Sequence, residues 1–261
     1  MVNYVKGLDI SIIQGTVDFN AVAASGIQFI IARCGVGNSS IDSDYASNIV
    51  KAKAAGLYTL AYHFVYPLPT IASQPLRDPI KQAQYHFNAV QGVRGCCDLE
   101  WPTSDLWQKW GCSAQQINDW GLAYLAEYSR LDGRPMIVYT YPNFSQTVNL
   151  SAEYGQYPLW IASYEPTPEI PAPWTNVGWT LWQTTGGGGH LPNGAPVDTD
   201  VCRDLSLWGG AVVQPDPFPP PVLIPVPPPA PLPAPPVQVA STNPFAGIIA
   251  AIMSWINNFG K

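Results

Sequence analysis

Asp98 and Glu100 lie one residue apart in Cys96-Cys97-Asp98-Leu99-Glu100, and this spacing is suited to acid chemistry. On a β-strand, positions i and i+2 face the same way. The two Cα atoms would then be about 6.5–7 Å apart. Repulsion and partial burial would separate the two pKa values and leave one carboxyl protonated near neutral pH, as a general acid must be. On an open surface the same pair would merely be solvated. Here an apolar run precedes it, and Trp101-Pro102 follows immediately. Asp9 in Gly7-Leu8-Asp9-Ile10-Ser11 and Asp198 in Pro196-Val197-Asp198 are two further acids at expected strand ends. Their alternative roles are a cap using Ser11 and a turn residue.

The elements that would position these acids alternate along the chain. Short β-branched and aromatic runs near 6–10, 28–34, 57–63, 93–99, 135–140, 158–163, 179–183 and 195–198 read as eight strands. Apolar residues recur at three and four positions near 18–25, 43–55, 79–90, 113–129 and 143–150, which reads as five helices. Alternation of this kind builds a parallel sheet from βα units. The expected fold class is therefore α/β, an irregular TIM-like barrel of eight strands and about five helices. In such barrels the site lies at the C-terminal strand ends. His63 and His86 are read as structural, His63 pointing away from Tyr62 on its strand.

The bulk composition narrows the partners. The 261 residues carry a net charge of -6, with only twelve Lys and Arg, which argues against a nucleic-acid partner. Ten tryptophans and thirteen tyrosines suit a neutral ring-shaped ligand, or else core packing. Cys34, Cys96, Cys97, Cys112 and Cys202 lack the spacing of a disulfide scaffold or a zinc site and read as reduced, mostly buried thiols. Metal and cofactor are both expected to be absent. The start Met1-Val2-Asn3-Tyr4-Val5-Lys6 has no basic region leading into an apolar one, so synthesis in a host cytoplasm without a signal peptide is expected.

Three domains are expected: a barrel over 1–212, a proline-rich linker over 213–242 and an amphipathic C-terminal helix over 243–261. Proline at about every second position from Pro215 to Pro236 favours polyproline II. In the last segment Phe245, Ile248, Ile249, Ile252, Trp255, Ile256 and Phe259 fall on one helical face. That face would dock on a membrane or protein partner, pack on the barrel or self-associate.

An ordered series of segments carries a resemblance. It runs Asp9-Ile10-Ser11 with Gln14-Gly15, Asp18-Phe19 with Val22, Gly26-Ile27 with Phe29, Arg33-Cys34-Gly35, and Asp44-Tyr45 with Asn48. It continues through Ala55-Gly56-Leu57, Tyr62-His63-Phe64, Asp98-Leu99-Glu100, Gly133 with Pro135, Tyr139-Thr140, Leu159-Trp160-Ile161-Ala162, Leu181-Trp182-Gln183 and Val197-Asp198. From Gly7 to about Cys202 the chain resembles the glycoside hydrolase family 25 lysozymes, Chalaropsis-type muramidases of fungi, bacteria and many phage endolysins. The resemblance implies a β-1,4 N-acetylmuramidase that cuts peptidoglycan between N-acetylmuramic acid and N-acetylglucosamine. It implies Glu100 as general acid and base with Asp98 beside it, Asp9 and Asp198 at the other acidic positions, and Tyr62, Tyr139, Trp182 and Trp160 along the sugar groove. Two routes fit the acid pair. An acetamido-assisted, retaining one is favoured, and an inverting one would need carboxyls about 6.5–9.5 Å apart. Without a signal the enzyme would reach the wall after release, as an endolysin or virion-associated lysin does. The competing expectation is an inactive barrel that binds or scaffolds cell wall. The chain departs from the family pattern at Cys34, where alanine is usual, at Ala61, where glycine is common, and at Asp200, where asparagine often stands.

Overall fold

A computed structural model describes residues 4–37, 40–67, 78–100, 112–203 and 205–208. The expected linker and C-terminal helix, with Trp101 and Pro102, lie outside these residues. Nine strands are present: β1 (Val5–Ile10), β2 (Phe29–Val36), β3 (Ser40–Ile41), β4 (Tyr58–Phe64), β5 (Gly95–Asp98), β6 (Ile137–Thr140), β7 (Leu159–Ala162), β8 (Leu181–His190) and β9 (Pro196–Cys202). The sheet runs β1-β9-β8-β7-β6-β5-β4-β2 and closes through β1–β2, giving an eight-stranded barrel with β3 as a short flap on β2. Five α-helices accompany it among the described residues: α1 (Phe19–Ala24), α2 (Tyr45–Ala54), α3 (Pro79–Ala89), α4 (Ala114–Asp132) and α5 (Pro142–Val148).

Local chemistry sets the helix limits. Asp18 caps α1 through Ala21 N–H, and Ser113 with Gln116 forms a capping box on α4. Gly133 ends α4 at φ 74°, a left-handed conformation that costs a residue without a Cβ little.

The parallel order expected from the βα alternation holds from β1 and β2 through β8 and gives way at the last strand. β9 runs antiparallel to both β8 and β1. Residues 191–195 are all that join β8 to β9, and a parallel return needs a crossover of a dozen residues or more. β8 also continues to His190, well beyond the expected end at 183. Because β9 is reversed, Asp198 lies near the start of its strand, and that start is the end of the strand that meets the C-terminal ends of the others.

Strand alternation divides the buried residues into two layers. Phe29, Ile31, Leu60, Cys96, Ile137 and Leu181 fill the barrel, and Trp208 closes its lower end against Phe29 and Tyr58 at 5.4 Å. Cys97, Leu99, Val138, Leu159 and Ile161 face outward and pack against Tyr124, Tyr128 and other aromatics of the helical layer. All five cysteines are buried, matching their reading as apolar thiols.

His63 faces the helical layer. It stacks on His86 of α3 at 4.7 Å and donates from Nε2 to the Gly37 carbonyl. Burial lowers its pKa to about 4. A base whose folded pKa is depressed contributes stability that is complete above its unfolded value, about 6.5, and is lost as pH falls through the folded value. Between pH 7 and 4 the wild type is expected to lose ~3 kcal/mol relative to His63→Gln. Urea unfolding of both proteins at the two pH values checks this; a difference that does not change with pH contradicts it.

Candidate active site

The acids gather at the barrel mouth because Asp9, Asp98, Asp198 and Asp200 each occupy an inward position on a strand and Glu100 follows just beyond the end of β5. Asp98 ends β5 between Phe64 of β4 and Tyr139 of β6. Glu100 lies two residues further on and is partly exposed. Across the β1–β9 seam Asp9 is directly opposite Asp198. Asp200, one inward position deeper on β9, is opposite Gly7 on one side and Gln183 on the other. Four of these five acids were named as site residues from the sequence; Asp200 was noted there only as a departure from the family pattern.

A hydrogen-bond network fixes the mouth. Gln183 donates from Nε2 to Asp9 Oδ2 at 2.8 Å. Its Oε1 accepts from the Tyr139 hydroxyl at 3.0 Å and the Tyr164 hydroxyl at 3.1 Å. Three donors and acceptors thus set both the orientation of the amide and the direction of the Asp9 carboxylate. Asp198 accepts the Gly187 N–H. Arg33 on β2 pairs with Asp42 at 3.2 Å, and Asp42 also accepts the Ile12 N–H at 2.9 Å, which ties the turn after β1 to the β3 flap. Tyr164 was not named from the sequence, and Gln183 and Arg33 stood only within matched segments, without a site role. The signal for Gln183 was parity: on β8 it takes the inward place that its neighbour Trp182 cannot share.

Burial and crowding raise the carboxyl pKa values. Burial pushes Glu100 up to about 7. Burial first and the Glu100 charge second hold Asp98 well above the usual range, with Arg33 opposing them. Asp98 Oδ1 is buried without a hydrogen-bond partner. Asp98 and Glu100 therefore titrate as a pair that retains a proton at neutral pH. Of the two, Glu100 is the more accessible and can present that proton to a bound molecule. Burial and then Asp200 raise Asp9. Such a mouth stabilises positive charge developing on a bound molecule and supplies a proton beside it.

The four aromatic candidates separate. Tyr62 and Tyr139 lie at the mouth, edge-on to Trp160 at 6.0 and 4.6 Å. Trp160 forms the floor beneath them, 2% exposed, and its indole N–H donates to Asp200 at 2.8 Å. Trp182 sits in the outer layer, edge-on to Trp179 at 5.8 Å, with its N–H donating to the Ser163 carbonyl. Tyr164 stands at the rim, 61% exposed and against Gly186, where a Cβ would meet its hydroxyl at 2.8 Å. No group of three or more potential ligand side chains suited to a metal ion occurs among the described residues.

The sequence profile of Glycosyl hydrolases family 25 matches residues 8–190. The chain is similar to the autolytic lysozyme of Clostridium acetobutylicum, 31% identical over 208 residues that make up 80% of this chain. It spans 59% of that relative's length. It is also similar to the N,O-diacetylmuramidase of Chalaropsis sp, 30% identical over 210 residues, covering 73% of this chain and 95% of the relative. Among solved structures, a family GH25 lysozyme from Aspergillus fumigatus shares the fold, with a TM-score of 0.66 at 23% identity over 79% of this chain and 97% of that one.

Proposed function

Since the chain belongs to family 25 of the glycosyl hydrolases, we propose that it is a peptidoglycan muramidase that cleaves the β-1,4 bond between N-acetylmuramic acid and N-acetylglucosamine. The observation that carries this reading is the Asp98–Glu100 pair at the mouth of the barrel, raised by burial so that one proton stays on the pair at neutral pH. Glu100 gives that proton to the leaving glycosidic oxygen. The substrate's own 2-acetamido oxygen attacks the anomeric carbon, and Asp98 stabilises the cationic ring so formed. Glu100, now a carboxylate, takes a proton from the water that opens the ring, so configuration is retained. Asp9 and Asp198 add negative potential opposite the pair. No step draws on a metal or cofactor.

The test is digestion of isolated peptidoglycan with identification of the new reducing ends. Ends at muramic acid support the reading. Ends at N-acetylglucosamine overturn it, and binding without any ends indicates an inactive wall-binding barrel. Product analysis at the anomeric centre separates retention from inversion.

Tyr164 offers its ring face at the rim, where a sugar can stack. Tyr164→Ala is expected to raise KM about 5–10-fold with little change in kcat, as loss of ~1 kcal/mol of uniform binding requires. Gln183 keeps its Tyr139 partner in this variant, so the acids stay in place. Tyr164→Phe should retain most of the affinity. A fall in kcat at unchanged KM would place Tyr164 in the chemical step instead.

A further inference from the structure

Asp200 is the most deeply buried acid of the mouth, 1% exposed. Trp160 N–H donates to its Oδ1 at 2.8 Å. Its Oδ2 has no hydrogen-bond partner and lies beside the Asp9 carboxyl. The titratable groups that face it are Asp9 from β1, Asp198 from its own strand, Cys96 from β5 and Tyr164 after β7, every one an acid. With both carboxyls ionised, this oxygen would be left unsatisfied in a buried site and two negative charges would stand side by side. One proton held between the two carboxyls supplies the missing hydrogen bond. Asp9 can accept such a bond while Gln183 holds its Oδ2.

We propose that Asp200 is a positioning residue that shares one proton with Asp9 in the resting enzyme, and that loss of this proton to solvent disables the site on the alkaline side. Once the pair has lost this proton, two adjacent buried carboxylates repel, and Asp9 can no longer keep both its place opposite Asp198 and its bond to Gln183. Burial, the largest influence, pushes Asp200 up to about 7 and Asp9 well above the usual range, so the pair gives up this proton on the alkaline side, where the Glu100 proton is lost as well. Two protons, not one, then govern the alkaline fall in activity. The activity readout rests on the muramidase reading; the protonation itself does not.

Asp200→Asn tests the proposal. An amide can accept from Trp160 and donate to Asp9, as the neutral acid does, but it has no proton to lose. In the wild type, kcat/KM on peptidoglycan should fall about 100-fold per pH unit on the alkaline side, and in Asp200→Asn about 10-fold per unit. Equal slopes in the two proteins overturn the proposal. Carboxyl carbon NMR of the wild type, labelled at aspartate, gives a readout without substrate. Asp200 should titrate near neutrality, and titration in the ordinary range near 4 overturns the proposal whether or not the protein is active. Neutral titration in a wild type that releases no reducing ends would leave the proton assignment standing and sink the muramidase reading instead.

Discussion

Glu100→Gln is expected to lower kcat on isolated peptidoglycan by about 10²–10⁴-fold, the usual contribution of a positioned acid and base. Glutamine has the same shape and keeps a hydrogen-bonding group beside Asp98, so KM should change little. Its amide cannot deliver a proton to the leaving oxygen or take one from water. Stability should hold or rise, because a buried carboxyl with a raised pKa is replaced by a neutral group. The pH profile gives the same argument a sign. The acid works only while protonated, so activity should fall as pH rises past about 7. Initial rates of reducing-end release, with thermal unfolding alongside, check both statements. Wild-type rates in Glu100→Gln would remove Glu100 from the mechanism.

Trp160→Ala is expected to destabilise the protein by about 3–5 kcal/mol, the usual cost of truncating a buried tryptophan. Three separate contacts meet in this side chain. It fills the barrel centre, it supports Tyr62 and Tyr139 edge-on, and its N–H holds Asp200. Truncation leaves a cavity and removes the hydrogen-bond donor of a buried acid. For a domain of this size the melting temperature should drop by roughly 10 °C or more. Activity should fall beyond what the lost stability explains, since the rings at the mouth lose their support. Trp160→Phe should recover much of the stability but not the bond to Asp200. A melting temperature within 2 °C of wild type for Trp160→Ala, where at least ~10 °C is expected, would show that the floor is built differently.

Much of the fold was legible because hydrophobic periodicity is a local property. The five helices and the positions of eight strands follow from apolar spacing, and the Asp98–Glu100 face follows from the two-residue repeat of a strand. The direction of β9 was not legible, because it depends on a connection whose length shows only once the true end of β8 is known. The run Gly186–Gly189 looks like a loop in sequence and is strand in the structure. Trp182 illustrates a second limit. The family resemblance implies a place for Trp182 along the sugar groove, but only the inward register of Gln183 reveals that the indole faces the helices. Asp200 shows a third. An exposed acid and a buried acid have the same letter, and the distinction lies in the Trp160 N–H that reaches it from another strand.

The reversed last strand has a consequence for how the enzyme comes into being. β8 and β9 are neighbours in sequence and can zip together early, whereas β9 must then find β1 at the far end of the chain; Gln183 and its partner Asp9 are 174 positions apart. Until that seam forms, β1 and the β8–β9 hairpin each present an unpaired edge, the kind of surface on which partly folded chains adhere to one another. Two of the five carboxyls, Asp198 and Asp200, arrive only with the strand that covers those edges. A nascent chain that has not yet closed its barrel therefore lacks two of the five acids of its mouth, and lytic capacity comes with the final stitch of the fold.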